Sequence, residues 1–215
     1  MILIKPSYKI LAINGADLLL MEQAGRTCYK SESKGDPAMF LQGKIKSKHF
    51  TIIEHGSMTV QFIVDRGFTH ELVRHRMAVY SQESTRWCNY SGGVTFIIPP
   101  WVNIPENEYK NIINLPEDIT QAEQRWFETM LLLEKQYILL LDSKWSPQQA
   151  RTVLPNSLKT EIVMTANFRE WRLVFEQRAL GLTGKPHPQM LEIMIPLMEE
   201  CKLKVPAIFG DLEIK

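Results

Sequence analysis

The sequence predicts an α+β domain, because helical and strand-forming segments mix without a regular βαβ alternation. Two kinds of segment support this class. Some place apolar residues at helical spacing, and others are short runs of alternating polar and apolar residues that are rich in β-branched side chains. The length of 215 residues predicts a single domain and leaves two small domains open. The working expectation is therefore one domain over residues 1–215.

The N-terminal third predicts two helices. Asn14 is expected to cap a helix over Ala16–Thr27, where apolar residues form one stripe. A second helix is expected over Pro37–Lys46, with proline at its start.

The middle of the chain predicts two strands with a helix between them. Ser57–Asp65 alternates polar and apolar residues, and Gly67 is expected to end this strand. A helix is then expected over Thr69–Val79, with Thr69 as its cap. Val94–Ile98 is a second strand, which two prolines follow.

The C-terminal half predicts mostly helices. Pro105–Asp118 is expected to be a surface loop or a short helical insertion. Further elements are a long amphipathic helix over Thr120–Ser143, a short helix from Pro147 that ends before Pro155, a strand over Thr160–Thr165, and helices over Phe168–Leu180 and Pro188–Lys202.

Composition excludes several classes of function. The 25 Lys and Arg residues against 24 Asp and Glu leave a net charge of +1, which argues against a non-specific nucleic-acid binder or a polybasic membrane binder. No stretch has the length of a transmembrane span. The 3 cysteines are far apart without a C-x-x-C pair, so we expect no disulfide framework, no structural zinc and a cytoplasmic location.

The segment His70–His75 resembles the zinc motif H-E-x-x-H but has one residue too many. On a helix, side chains five residues apart diverge by about 140°, so both histidines cannot face one metal. We therefore predict a site without metal.

A polar run that is unsuited to a hydrophobic core follows the predicted helix. Ser81–Arg86 combines hydroxyl groups with an arginine, and Arg74 and Arg76 precede it. Guanidinium groups, hydroxyls and backbone N–H groups bind phosphate well. The run is expected to form a turn or an extended segment, and in an extended segment Ser84 and Arg86 would lie on the same side and hold one phosphate. Arg74 and Arg76 would lie about 200° apart on a helix and serve different ligands or different subunits.

A second polar concentration lies later in the chain. Arg151 stands among apolar residues, so it must snorkel or be paired. Asn167 ends a predicted strand where Arg169 begins a helix, a normal place for anion contacts, and Arg178 follows further along that helix. For these arginines taken one at a time, ordinary salt bridges are the stronger interpretation. Thr51 has two interpretations, a cofactor contact or a helix cap.

Several motifs together resemble the flavin-dependent thymidylate synthases. Arg74-His75-Arg76 followed after seven residues by Ser84 is similar to the R-H-R-x7-S signature of that family. Other matching segments, in family order, are Ala24–Tyr29, His49–His55 (H-x-T-x-x-E-H), Ser81–Tyr90, Arg151–Pro155 (R-x-V-L-P) and Asn167 with Arg169 and Arg178.

The resemblance implies the reductive methylation of dUMP to dTMP, with FAD, NADPH and 5,10-methylenetetrahydrofolate. It implies a mixed, mainly antiparallel sheet flanked by helices, and a homotetramer with active sites shared between subunits. Arg178 would be catalytic at the uracil ring. FAD contacts would fall on Thr51, Arg74, His75, Arg76, Gln82, Asn167 and Arg169. Contacts to dUMP would fall on Glu71, Arg74, Gln82, Glu83, Ser84, Thr85, Arg86, Arg151 and Arg178.

The chain departs from the family pattern at Glu71, Gln82, Trp87 and Leu173, the last at a position where His or Asn commonly contacts the flavin. Two alternatives of other classes therefore remain at this point. One is a non-catalytic nucleotide-binding homologue, and the other is a nucleic-acid-binding module in which aromatic rings stack beside the arginines.

Overall fold

The computed structural model describes residues 1–33, 35–112 and 115–214. The strands are β1 (Ile2–Ile4), β2 (Ser7–Asn14), β3 (Ser57–Asp65), β4 (Ala78–Gln82), β5 (Thr95–Ile97), β6 (Asn107–Glu108) and β7 (Lys159–Asn167). The α-helices are α1 (Leu19–Thr27), α2 (Pro37–Lys46), α3 (Arg66–Leu72), α4 (Gln121–Asp142), α5 (Pro147–Ala150), α6 (Phe168–Arg178), α7 (Pro188–Lys204) and α8 (Pro206–Phe209). Phe50–His55 and Arg151–Val153 form 3₁₀ turns.

Two sheets accompany these helices, which confirms the α+β class. In the sheet of order β5-β1-β6, β1 runs parallel to β5 and antiparallel to β6, so this sheet is mixed. The other sheet has the order β2-β3-β7-β4. The Phe168 N–H donates to the Gly56 carbonyl at one end of β3, and the Arg66 N–H donates to the Asn156 carbonyl at its other end. Strands β3 and β7 are therefore antiparallel.

The chain divides into two compact units, each assembled from separate segments. The first unit comprises Met1–Ser7, Phe62–Leu72 and Ser81–Ile162. The second comprises Tyr8–Gln61, Val73–Tyr80 and Val163–Lys215.

The core of the first unit forms around α4. Thr120 caps this helix in a reciprocal arrangement with Glu123, which satisfies N–H groups of the first turn. Tyr109 meets Phe127 edge to face, with ring centroids 5.1 Å apart. Buried side chains from α4 and from the neighbouring strands complete this core: Leu3, Phe96, Ile98, Phe127, Met130, Tyr137 and Leu158.

The core of the second unit forms around α6 and α7. The indole N–H of the buried Trp171 donates to the Met58 carbonyl at 2.9 Å, which ties α6 to β3. Gly56 lies directly under the Phe168 ring, where a Cβ would come within 2.3 Å of a ring carbon. Only glycine fits there without a shift of the ring.

Most predicted elements are confirmed to within a few residues, and the differences begin at the first helix. Helix α1 begins at Leu19 rather than Ala16, and Asn14 belongs to strand β2, where its side chain donates to the Ser57 hydroxyl. Strand β2 was not predicted, because residues 10–13 are four consecutive apolar residues and the sequence does not alternate there. Thr51 does not cap the 3₁₀ turn, since His49 occupies the cap position.

The prediction of a helix over Thr69–Val79 is also wrong. Helix α3 starts earlier, at Arg66, where the Asp65 carboxylate accepts the Phe68 N–H at 2.7 Å. It ends at Leu72, and strand β4 begins six residues later at Ala78. The expected angular separation of Arg74 and Arg76 therefore fails, because both lie in the connection between α3 and β4.

Two further findings concern the predicted loop Pro105–Asp118 and the apolarity of the helices. Asn107–Glu108, within the predicted loop Pro105–Asp118, forms strand β6, while residues 113 and 114 of that loop lie outside the described residues. Within residues 1–33, 35–112 and 115–214, no helix combines the length and apolarity needed to cross a membrane.

Candidate active site

A cluster of hydroxyl and guanidinium groups lies in the first unit, in the turn that follows β4. The Ser84 Oγ accepts the Arg86 N–H at 3.3 Å, so the pair is close in a turn, which is one of the two conformations expected for this segment. The Arg151 Nη1 donates to the Thr85 hydroxyl at 3.1 Å, and the Arg86 Nε donates to the side-chain amide oxygen Oε1 of Gln148 at 3.1 Å. We call Ser84, Thr85, Arg86 and Arg151 the anion cluster.

The anion cluster suits a phosphate. Arg86 and Arg151 are exposed, and Arg86 also lies over the Trp87 ring, 4.9 Å from its centroid. Each guanidinium has five N–H donors, so one or two hydrogen bonds within the protein leave donors for a ligand. Arg151 was expected to snorkel or to be paired, and it is exposed with a hydrogen bond to the Thr85 hydroxyl.

The two residues before the cluster hold this turn in place. The Glu83 carboxylate accepts hydrogen bonds from the Tyr90 hydroxyl at 2.7 Å, from the Lys159 Nζ at 3.0 Å and from the Glu161 N–H at 3.2 Å. Burial raises the pKa of Tyr90, and the adjacent Glu83 carboxylate raises it further. Burial opposes the charge of Lys159, but its hydrogen bonds to Glu161 and Glu83 raise its pKa overall. The side chain of Glu83 therefore faces its own chain.

Gln82 is anchored in the same way. Its amide nitrogen lies 3.1 Å from the Thr69 hydroxyl and 3.2 Å from the Thr160 hydroxyl. Arg66 also contacts the Thr160 hydroxyl, at 3.4 Å. The sequence did not indicate these partners, because they come from α3 and β7, far apart along the chain.

In the second unit, a row of three side chains joins the loop before β4 to helix α6. The Arg178 Nε donates to the His75 Nε2 at 3.3 Å, and the His75 Nδ1 lies 3.4 Å from the Glu170 Oε1. His75 is 4% exposed and Glu170 is 7% exposed. Burial and the nearby Arg178 cation lower the pKa of His75 to about 4, so its imidazole is neutral at pH 7. Burial raises the pKa of Glu170, and Arg169 opposes this effect.

A cavity of about 480 Å³ opens beside this row and lies wholly within the second unit. The described residues that line it are Phe50, Glu54, Met77, Asn167, Arg169, Glu170, Arg172, Leu173 and Glu176. Its volume lies in the range of small-molecule sites, and it combines apolar walls with a few polar groups, as such sites do.

Charged groups of this cavity are paired within the protein. Arg169 donates to the Glu54 carboxylate at 2.6 Å. Arg172 is almost fully buried and binds the Asp211 carboxylate through both terminal nitrogens, at 2.6 and 2.8 Å. The buried Arg172 Nε lacks a hydrogen-bond partner among the described residues. Asn167 caps α6 through its side-chain oxygen, which accepts the Glu170 N–H at 2.8 Å.

The structure thus brings together some of the predicted site residues and leaves others apart. Asn167 and Arg169 line the cavity, and so does Leu173, which departs from the family pattern. The described lining does not include Thr51, which is exposed on its 3₁₀ turn, or Arg74 and Arg76, which are exposed in the loop before β4. Glu71 is half-buried in α3, in the first unit. No group of three or more His, Cys, Asp or Glu side chains suited to a metal occurs in the described part of the chain.

Comparisons with known proteins point to one family. Residues 9–207 match the family model described as "Thymidylate synthase complementing protein". Proteins named flavin-dependent thymidylate synthase from Mycobacterium tuberculosis (strain ATCC 25177 / H37Ra) and Mycobacterium avium (strain 104) are each 32% identical over 205 residues, covering 91% of this chain and 79% of theirs.

A solved structure extends the likeness to the fold. The UMP/dUMP methylase PolB from Streptomyces cacaoi, bound with 5-Br dUMP, matches with a TM-score of 0.78 at 18% identity, covering 98% of this chain and 96% of that one. The same protein bound with 5-Br UMP matches with a TM-score of 0.77. At this identity the likeness concerns the fold alone. Because the family model spans nearly the whole chain and the relatives exceed 30% identity, the chain belongs to the family of flavin-dependent thymidylate synthases.

Proposed function

We propose that this protein catalyses the reductive methylation of dUMP to dTMP, with 5,10-methylenetetrahydrofolate as the carbon donor and NADPH-reduced FAD as the source of the hydride. Its membership of the flavin-dependent thymidylate synthases carries this proposal. The homotetramer with shared active sites and the cytoplasmic location, which the resemblance and the composition imply, are part of the same proposal.

The anion cluster would bind the phosphate of dUMP. Two exposed guanidinium groups supply charge-assisted hydrogen bonds, and the hydroxyls of Ser84 and Thr85 add neutral ones. Glu83 and Gln82 would fix the turn that presents them, since their side chains bind groups of the same unit. Glu71 and Arg74 complete the proposed dUMP set.

Arg178 would act on the uracil ring. A cation beside the ring favours the base deprotonated at N3, because it lowers the pKa of that N–H. The added electron density makes C5 nucleophilic, so no covalent bond between enzyme and base is needed. Cys201 agrees with such a mechanism, because it is buried and burial raises the pKa of its thiol to about 12, far from a thiolate at neutral pH.

The cavity of the second unit fits a flavin in chemistry. Phe50, Met77 and Leu173 give it apolar walls for a ring system, and the buried Arg172 Nε at its edge is a donor that lacks a partner among the described residues. Asn167 and Arg169 would hold the cofactor there, and Thr51, Arg74, His75, Arg76 and Gln82 complete the proposed set. When bound, FAD supplies the reducing equivalents. The protein's part is to bind it, orient it and shield it from water.

The first test is flavin binding followed by product formation. We expect the purified protein to be yellow or to become yellow on titration with FAD, and NADPH to bleach that absorbance. A mixture with dUMP and 5,10-methylenetetrahydrofolate should then yield dTMP, measured by chromatography. A protein that stays colourless at every FAD concentration contradicts the proposal and favours a non-catalytic nucleotide-binding homologue.

The variant Arg178→Ala tests the proposed contact of Arg178 with the uracil ring. Losing a charge-assisted contact to the activated base should lower the rate of dTMP formation by about 10²- to 10³-fold while FAD stays bound. Arg125→Ala is the matched control, because Arg125 is an exposed arginine on α4 in the first unit and has no role in the proposal. Equal rates for the two variants would show that Arg178 does not act on the base.

A further inference from the structure

In the row formed by Glu170, His75 and Arg178, the chemistry of the groups determines which ring nitrogen of His75 carries the proton. A guanidinium carries only N–H donors, so the His75 Nε2, 3.3 Å from the Arg178 Nε, must be the acceptor. A neutral imidazole that accepts at Nε2 carries its proton on Nδ1. That proton faces the Glu170 Oε1, 3.4 Å away. The row therefore runs from guanidinium to imidazole by a hydrogen bond, and from imidazole to carboxylate by a contact of 3.4 Å that places the Nδ1 proton beside the carboxylate oxygen.

The surroundings hold this row in place. His75 and Glu170 are both more than nine-tenths buried. The Tyr80 hydroxyl donates to the His75 carbonyl at 2.7 Å, which fixes the backbone that carries the imidazole. Glu170 lies in the first turn of α6, where its N–H is bound by the Asn167 cap, and Arg178 is the last residue of the same helix. One imidazole thus contacts side chains from the two ends of α6.

We propose that Glu170 and His75 are positioning residues for Arg178. In this arrangement the carboxylate selects the Nδ1–H form of the imidazole, and Nε2 then directs the Arg178 guanidinium. The inference rests on the proposed function, in which Arg178 contacts the uracil ring. Both ring nitrogens of His75 then contact side chains of the protein, Arg178 at Nε2 and Glu170 at Nδ1.

The protonation state of His75 in the purified wild-type protein tests the row without any measurement of activity. We expect ¹⁵N NMR of histidine-labelled protein at pH 7 to show His75, assigned through its covalent neighbours, as a neutral ring with its proton on Nδ1. The lowered pKa of His75 agrees with a neutral ring. A proton on Nε2, or on both nitrogens, would overturn the proposal. This measurement needs no variant, so it stands even if a substitution prevents folding.

Kinetics of two variants at position 170 separate positioning from packing. Glu170→Leu removes the acceptor, and kcat should fall by about 10- to 100-fold while the KM for dUMP changes by less than about threefold. Glu170→Gln keeps an acceptor oxygen, so it should keep the Nδ1–H form and a kcat within about threefold of wild type. Full kcat in Glu170→Leu, or the same large loss in a folded Glu170→Gln, would refute the proposal.

Glu123→Leu is the matched control for the loss of a buried carboxylate. Glu123 is 8% exposed and belongs to the cap of α4 in the first unit. Its loss should lower stability and leave kcat and the His75 signal as in wild type. A wild-type protein that forms no dTMP would contradict the proposed function, whereas an active wild type with an unaffected Glu170→Leu would contradict the positioning role alone.

Discussion

The buried His75 should make the protein less stable as the pH falls from 7 to 5. Burial and the Arg178 cation lower the pKa of His75 in the folded protein to about 4, against an ordinary value of 6.5. Between these values the unfolded chain binds a proton that the folded protein does not. The stability due to this group is therefore fully present above the unfolded pKa and is lost as the pH falls towards the folded one.

The size of the effect follows from the two pKa values. One pKa unit corresponds to about 1.4 kcal/mol, so the full difference amounts to about 3 kcal/mol. By pH 5 about 2 kcal/mol of the free energy of unfolding should be lost through His75. Glu170 acts in the opposite direction, because burial raises its pKa. Variants are therefore compared with wild type at each pH, so that contributions from other groups largely cancel.

The assay is urea unfolding of wild type and of His75→Gln at pH 7 and pH 5, at one protein concentration. Glutamine does not titrate, so the variant should lose about 2 kcal/mol less than wild type between the two pH values. His49→Gln is the control. His49 is exposed, so its side chain is in water in both the folded and the unfolded protein. If wild type and His75→Gln lose the same free energy, His75 is not buried in neutral form, and the hydrogen-bond direction inferred above is wrong.

Three further predictions concern packing, phosphate binding and the cysteines. Gly56→Ala places a methyl group within 2.3 Å of the Phe168 ring and should lower the free energy of unfolding by about 1–3 kcal/mol. Gly43→Ala, with no atom within 4 Å of its new Cβ, should not lower it, and equal urea midpoints for both variants would contradict the packing argument. Arg86→Ala should raise the KM for dUMP much more than it lowers kcat, because a phosphate contact acts on ground and transition states alike. The reverse pattern would exclude a phosphate role. A protein with all 3 cysteines replaced by serine should keep most of its rate of dTMP formation. Inactivity of the folded, flavin-loaded variant, with recovery on restoring Cys88, would show a cysteine nucleophile.

Elements whose local pattern agrees with their tertiary environment were predictable from the sequence. In β3 every second residue up to Val64 is buried, so the alternation seen in the sequence matches the environment of each side chain. Helix α4 has its cap at Thr120 and its buried face where the apolar spacing predicts them. The proline at the start of α2 likewise marks the observed first residue.

The helix predicted over Thr69–Val79 fails for a tertiary reason. The apolar spacing of this stretch suits a helix, yet Met77 and Val79 are exposed, whereas the polar His75 is buried. Burial of His75 is tied to its contacts with Glu170 and Arg178, about a hundred residues further along the chain. Local propensity is a weak preference that such contacts override.

The candidate site likewise contains groups that the sequence indicated and groups that it did not. The hydroxyl and guanidinium groups of Ser84–Arg86 were found from residue type, and the structure places Thr85 beside Arg151, which the sequence had assigned to a separate polar concentration. The groups that hold the cluster were not found, because Lys159 and Glu161 reach Glu83 only through the pairing of distant segments. Residue chemistry thus indicates which groups can bind a ligand, while the pairing of strands decides which groups support them.

For the arginines taken one at a time, ordinary salt bridges were the stronger interpretation, and the contact of Arg178 with His75 bears on its proposed role. A neutral imidazole accepts the Arg178 Nε hydrogen bond and itself adds no negative charge beside the guanidinium. A residue that is to stabilise a deprotonated base needs an orientation that is fixed before the reaction. The hydrogen bond from Arg178 to the buried His75 contributes to that orientation.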